Sequence, residues 1–234
     1  MSDSITSNHS VTSPEPQQME IKLILASASP ARRAILRQIG LEPLVQVSHF
    51  DEDQIQVTDP APLVLTLAQC KADAVAKSLS AQNSALADAP TSPRLILGCD
   101  SVMYLNGKIY GKPESPAVAV ATWQKMRQHY GEIYTGHCLI DLHQQRTITR
   151  YRSSKVFFGN PTEAELANYV STGEPLCCAG CFTLEGLGGL FIDKLEGCHT
   201  NVLGLSLPLF REMLAELGYR VELARSGSRI VAQL

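Results

Sequence analysis

Apolar positions along this chain alternate between short dense runs and longer stretches at helical spacing. Ile21 to Ala26, broken only by Lys22, reads as a buried strand. Ser29 is a favourable helix N-cap, Pro30 suits the first helical position, and Gly40 marks the end. Leu44 to Val47 looks like a second strand, and Leu63, Leu67, Cys70, Ala74 and Val75 recur at helical spacing within residues 61–79. Residues 80–94, SAQNSALADAPTSPR, read as a surface loop or linker.

Leu95 to Leu97 predict a short buried strand ending in Gly98-Cys99-Asp100. Residues 102–105 and 108–110 flank Asn106-Gly107 and predict a hairpin with a type I′ turn. A helix is expected over 116–129, two long strands over 132–142 and 147–158, and a helix over 162–170. A strand over 190–195 and a helix over 205–217 complete the pattern. Helices interleaved with hairpins predict an α/β (α+β) fold on a mixed sheet rather than a purely parallel one. There is no internal repeat.

Composition narrows the function classes. The chain has 234 residues, 44 % hydrophobic and 18 % charged, which allows one large domain with an ample core. A net charge of −3 lacks the concentrated basic face that nucleic acid or an anionic membrane requires. The seven cysteines are odd in number in a chain too large to need staples, so a reducing cytoplasm is expected. Residues 1–20 lack a signal-peptide pattern and are expected to be a disordered tail, with 21–225 a single catalytic domain and 226–234 a second tail.

The polar residues that stand out lie at element ends. Ser27, Ser29, Arg32 and Arg33 mark a strand-to-helix junction, where free N–H groups and the helix dipole favour an anion. The same residues also fit a helix with solvated arginines. Asp51-Glu52-Asp53 places three carboxylates together, which suits a divalent cation as well as a solvated loop. Asp100 closes a buried strand, where a carboxylate is well placed as base or metal ligand, or else forms a turn. Gly111-Lys112-Pro113 is not a Walker A loop, since Pro113 stands where Ser or Thr is required. Cys178 and Cys181 have C-x-x-C spacing without a second pair, which favours inert thiols over zinc.

Taken together, seven stretches resemble the Maf family of nucleoside triphosphate pyrophosphatases in order and spacing. They are LILASASPARRAIL, FDE at 50–52, LAQCKADA, LILGCDSV, GKP at 111–113, YVSTGEPLCCAGCFTLEGLGG and NVLGLSLPLF. The resemblance spans about Ile21 to Leu217. It implies a mixed twisted sheet flanked by helices, with two lobes around a central cleft, as in inosine-triphosphatase-like folds. It also implies cleavage between the α- and β-phosphates, a divalent cation (Mg²⁺, Mn²⁺ or Co²⁺), and homodimers as one possible assembly.

Carried over by position, the resemblance assigns phosphate binding to Ser27, Arg32, Arg33, Lys71 and Lys112. It assigns metal ligation to Glu52 and Asp100, with Asp100 also the general base. Ala31, Ser101 and Glu185 fall on positions linked to base selection, where many members read SPRR, GADT and YGIQG. The segment PLCCAGCFTLEG instead resembles the branch associated with 7-methyl-GTP, which usually carries Trp and Gln where this chain has Ala31 and Ser101. Glu185 is an acceptor-only carboxylate, which suits the N1–H and N2–H₂ edge of guanine and a cationic methylated ring. The alternatives are a dTTP/UTP pyrophosphatase, or a septum inhibitor that binds nucleotide without turning it over.

Overall fold

Three strands of 12 or 13 residues span the molecule, and the rest of the chain is arranged on them. The computed structural model describes residues 20–85, 94–225 and 227–233, and all statements of number or absence below concern these. In chain order the elements are β1 (Lys22–Leu25), α1 (Pro30–Gln38), β2 (Leu44–Val45), α2 (Pro60–Ala85) and β3 (Arg94–Leu105). They continue with β4 (Lys108–Tyr110), α3 (Pro116–Met126), β5 (Tyr130–Asp141), β6 (Arg146–Phe158) and α4 (Glu163–Ser171). The last are β7 (Ile192–Glu196), α5 (His199–Val202), α6 (Leu207–Glu216), β8 (Tyr219–Glu222) and β9 (Arg229–Ala232).

The main sheet has the order β2-β1-β3-β5-β6-β7, with β4 paired to β3. β1 runs parallel to β2 and β3, and the remaining pairs are antiparallel, giving the mixed α/β sheet the sequence pattern predicts. β3 is one continuous strand rather than a short strand followed by a separate hairpin. It is paired with β5 without interruption from Leu95 opposite Asp141 to Tyr104 opposite Glu132, so Gly98 is absorbed without a break. The Asn106-Gly107 turn has both φ values positive (50° and 78°), as a type I′ turn requires.

Alternation along these strands divides the core. Leu23, Leu25, Leu95, Leu97, Cys99 and Leu139 pack with α1 and α6 on one face. Ile24, Ala26, Ile96, Cys138 and Ile140 pack under α2 on the other. Farther along the first face, Met103, Leu105, Ile133, Val156 and Phe158 pack with α3 and α4 around Trp123. Two apolar clusters therefore share the same long strands, and the buried polar residues Thr135, His137, Ser154 and Asn201, with the half-buried Ser101, lie between them. This polar belt separates the two clusters along the sheet.

Several boundaries differ from the sequence pattern. α2 runs on to Ala85, because Ala81, Gln82 and Ala85 are tolerated by a helix and no proline intervenes. The expected final helix is α6, and a short helix the pattern did not predict, α5, precedes it across Gly204, whose φ is +100°. Residues 226–234 are not a tail over 229–232: β9 pairs with β8, Ile230 and Val231 are buried, and Ile230 joins the main core. Hydrophobic burial of this kind overrides a short, charge-flanked segment's weak strand signal. Residues 1–19 and 86–93, in the expected tail and linker, lie outside the described residues. No helix among the described residues is long and apolar enough to cross a membrane.

Candidate active site

β1 stops at Leu25 while its neighbour β3 continues to Leu105, so the second half of β3 projects past the point where α1 begins. Asp100 and Ser101 occupy that projecting segment. Because consecutive strand residues face opposite ways, Asp100 points to the α2 side and Ser101 to the α1 side.

On the α1 side, the helix starts at the Ser29 cap, whose side chain accepts from Arg32 N at 3.4 Å. Arg32 sits one turn in and spreads its guanidinium over three acceptors. Nε donates to Gly204 O at 2.8 Å, Nη1 to Ser27 Oγ at 3.0 Å and Nη2 to Ser101 Oγ at 3.0 Å. Ser27 Oγ also accepts from Ser29 N at 3.2 Å. Ser101 Oγ lies 2.9 Å from Thr135 Oγ1, which donates to Asn201 O. A planar guanidinium held at three edges is a fixed cation at a helix N-terminus, the arrangement that receives phosphate.

On the α2 side, Lys71 Nζ donates to Asp100 Oδ1 at 2.6 Å and meets Glu52 Oε1 at 2.8 Å. Lys71 and Asp100 are 9 % and 6 % exposed, whereas Glu52 lies on an exposed 3₁₀ turn over 52–54. The approach depends on glycine. A Cβ at Gly98 would collide with the Ala68 carbonyl and one at Gly136 with the Val64 carbonyl, so α2 lies directly on the strand backbones. Only that close packing brings Lys71 within reach of Asp100.

The structure thus brings together Ser27, Arg32 and Ser101 on one side of β3, and Glu52, Lys71 and Asp100 on the other. Arg33 is not among them. Adjacent helical residues point roughly 100° apart, and Arg33 faces outward. Its Nη2 pairs with Glu42 at 3.0 Å, beside Arg37, which reaches the same carboxylate at 2.7 Å. Hydrogen bonds from Arg37 and then Arg33 pull the Glu42 carboxyl down to about 2. Lys112 is exposed on the loop after β4, where Gly111 O accepts from Gly180 N at 3.1 Å. Ala31 is half-buried at the start of α1, and Glu185 is exposed. Ser101 has its hydroxyl engaged by Arg32 and Thr135, so in this structure it braces the arginine.

Sequence reasoning missed the bracing set on the far side of Arg32: Thr135, Asn201 and the Gly204 carbonyl. Asn201 Nδ2 donates to Ile133 O at 3.1 Å and Ser154 Oγ at 3.2 Å, tying α5 across the belt. His137 is buried there, and its Nε2 accepts from Ser206 N at 2.8 Å. Burial and the nearby Arg32 charge push its pKa down to about 3. The only signal was the stretch NVLGLS, which assigns no role to these atoms. Among the described residues no group of three or more His, Cys, Asp or Glu is placed to hold a metal, and the seven cysteines are free.

A family model described as Maf-like protein matches residues 22–217. A nucleoside triphosphate pyrophosphatase of Gloeothece citriformis is 55 % identical over 203 residues, covering 87 % of this chain and 97 % of the relative. Proteins of the same name from Nostoc punctiforme and Thermosynechococcus vestitus are 52 % and 53 % identical. Each alignment covers 85 % of this chain, and 94 % and 95 % of the respective relative.

Proposed function

The chain belongs to the Maf-like protein family, and on that premise we propose that it is a nucleoside triphosphate pyrophosphatase. It cleaves the α–β phosphoanhydride, releasing the nucleoside monophosphate and pyrophosphate. The observation that carries this reading is the position of two opposite kinds of chemistry on adjacent residues of one strand. Ser101 leads through Arg32 and Ser27 to an anion site, and Asp100 leads to Lys71 and Glu52.

A triphosphate carries about four negative charges, and charge accumulates on the pyrophosphate as it leaves. Ser27, the α1 N-terminus and Arg32 bind the phosphate chain. Lys71 and Lys112 neutralise the leaving group. Arg33 is left out of this set because Glu42 already holds it. Oδ1 of Asp100 is committed to Lys71, which leaves Oδ2 to take the proton from the attacking water.

Glu52 and Asp100 each give one oxygen to the Lys71 ammonium, which sets two hard-oxygen carboxylates side by side, each with a second oxygen to offer a cation beside it. That donor set fits Mg²⁺ or Mn²⁺, which bind through one or two carboxylates together with substrate phosphates. A divalent cation bound there would polarise the α-phosphate and lower the pKa of a coordinated water.

For the base, the reading is a preference for 7-methyl-GTP, in keeping with removal of non-standard nucleotides. Glu185 supports it as an exposed acceptor-only carboxylate, and Ala31 supports it by its small side chain at the start of α1. The test is pyrophosphate release from 7-methyl-GTP, GTP, dTTP and UTP with Mg²⁺, Mn²⁺ or Co²⁺, and without added metal. Metal-dependent release with 7-methyl-GTP as the best substrate is expected. Faster turnover of dTTP and UTP would overturn the base assignment, and nucleotide binding without release would overturn the enzyme.

A further inference from the structure

Glu174 lies outside the set just described, yet its carboxylate accepts four hydrogen bonds. Oε1 accepts from Tyr169 Oη at 2.9 Å, from Gly188 N at 3.0 Å and from the Thr183 hydroxyl. Oε2 accepts from Leu187 N at 3.0 Å. Three of these four donors belong to residues 183–188, the segment that carries Glu185. The fourth, Tyr169, is anchored in the far apolar cluster, edge-on to Trp123 with ring centroids 5.8 Å apart.

The local sequence is built around this carboxylate. A Cβ at Gly186 would stand 2.5 Å from Glu174 Oε2, so LEGLGG is small where the carboxylate approaches. Packing alone does not fix the segment. A cavity of about 500 Å³ lies against it, lined by Tyr169, Leu187, Leu190 and Phe191, and Leu190 is 79 % exposed. Burial opposes ionisation of Glu174, but the hydrogen bonds from Thr183, Leu187, Gly188 and Tyr169 outweigh it and hold the carboxyl below its ordinary range. It is therefore ionised at neutral pH, where charge-assisted bonds to backbone N–H groups are strongest.

We propose that Glu174 is a positioning residue for base selection: it clamps the 183–188 segment so that Glu185 is presented to the base at a fixed place. The inference rests on the reading of Glu185 above as part of the base site. An amide at position 174 would turn one N–H₂ donor toward a backbone N–H or hydroxyl donor and release part of the clamp.

The experiment compares wild type, Glu174→Gln and Glu185→Gln on 7-methyl-GTP, GTP, dTTP and base-free ribose 5-triphosphate. For Glu174→Gln, KM for the preferred nucleotide is expected to rise on the order of tenfold. The ratio of kcat/KM between preferred and disfavoured bases should fall by a similar factor. Both kcat and turnover of ribose triphosphate should stay within about twofold, which general structural damage would not spare. Unchanged base ratios in folded Glu174→Gln would overturn the clamp. Unchanged base ratios in Glu185→Gln would instead overturn the base-site reading on which it rests. If Glu174→Gln fails to fold, Tyr169→Phe and Thr183→Val each remove one donor while keeping shape. A KM rise of severalfold in both supports the clamp, and no change in either refutes it.

Discussion

Asp100 and Ser101 are neighbours in sequence and belong to opposite faces of the sheet. Asp100 accepts from Lys71 of α2 at 2.6 Å, and Ser101 accepts from Arg32 of α1 at 3.0 Å. The two helices never need to meet, because the strand between them carries both halves of the site. Its residues 98–102 have no partner strand on that side, because β1 pairing ends at Leu97 and β4 pairing begins at Met103.

Asp100→Asn removes the proton acceptor but keeps the shape. Turnover should fall about 100-fold or more while nucleotide affinity changes only a few-fold, measured by pyrophosphate release and equilibrium binding. Undiminished turnover would remove Asp100 from the mechanism.

Lys71→Met leaves Asp100 buried without its cation, and should cost roughly 3 kcal/mol in chemical denaturation. Adding Asp100→Asn in that background should recover part of the loss, since the uncompensated charge is then gone. A purely additive double mutant would show that the pair is not coupled.

Arg32 and Arg33 should behave differently. Arg32→Lys cannot reproduce three acceptors held by one plane, so KM for triphosphates should rise about tenfold or more. Arg33→Ala, which disrupts only an exposed pair with Glu42, should leave kcat and KM within about twofold. Equal effects from the two would return Arg33 to the phosphate site.

Gly136→Ala places a methyl against the Val64 carbonyl under α2. The expected cost is about 1–3 kcal/mol or more, with activity lost beyond what stability explains, because Lys71 moves with the helix. Thermal denaturation and pyrophosphate release on the same preparation check both.

His137 gives a pH signature. Its folded pKa of about 3 lies below its ordinary 6.5, so the unfolded chain binds the extra proton between those values. Stability is complete above about pH 6.5 and declines as pH falls toward 3, with a slope approaching about 1.4 kcal/mol per pH unit. The neutral ring is needed because Nε2 accepts the Ser206 N–H. His137→Gln, which keeps an acceptor, should flatten the slope between pH 6.5 and 4.5. An unaltered slope would show that His137 is not the group responsible.

By itself the sequence determined the mixed α/β pattern, the Ser29–Pro30 helix start, the Asn106-Gly107 turn and most of the residues gathered around Asp100 and Ser101. These are legible because periodicity, capping and turn chemistry act over a few residues. It could not separate Arg32 from Arg33, since both are arginines at the same junction and only their direction around α1 differs. Nor could it show that Gly98 and Gly136 let α2 settle onto the strands, or that Gly204 and Thr135 brace the site from far along the chain. It read β9 as a tail because its strand character comes from burial against distant residues. Those features were decided by the tertiary structure, through contacts whose partners lie tens of residues apart and leave no periodic mark in the chain.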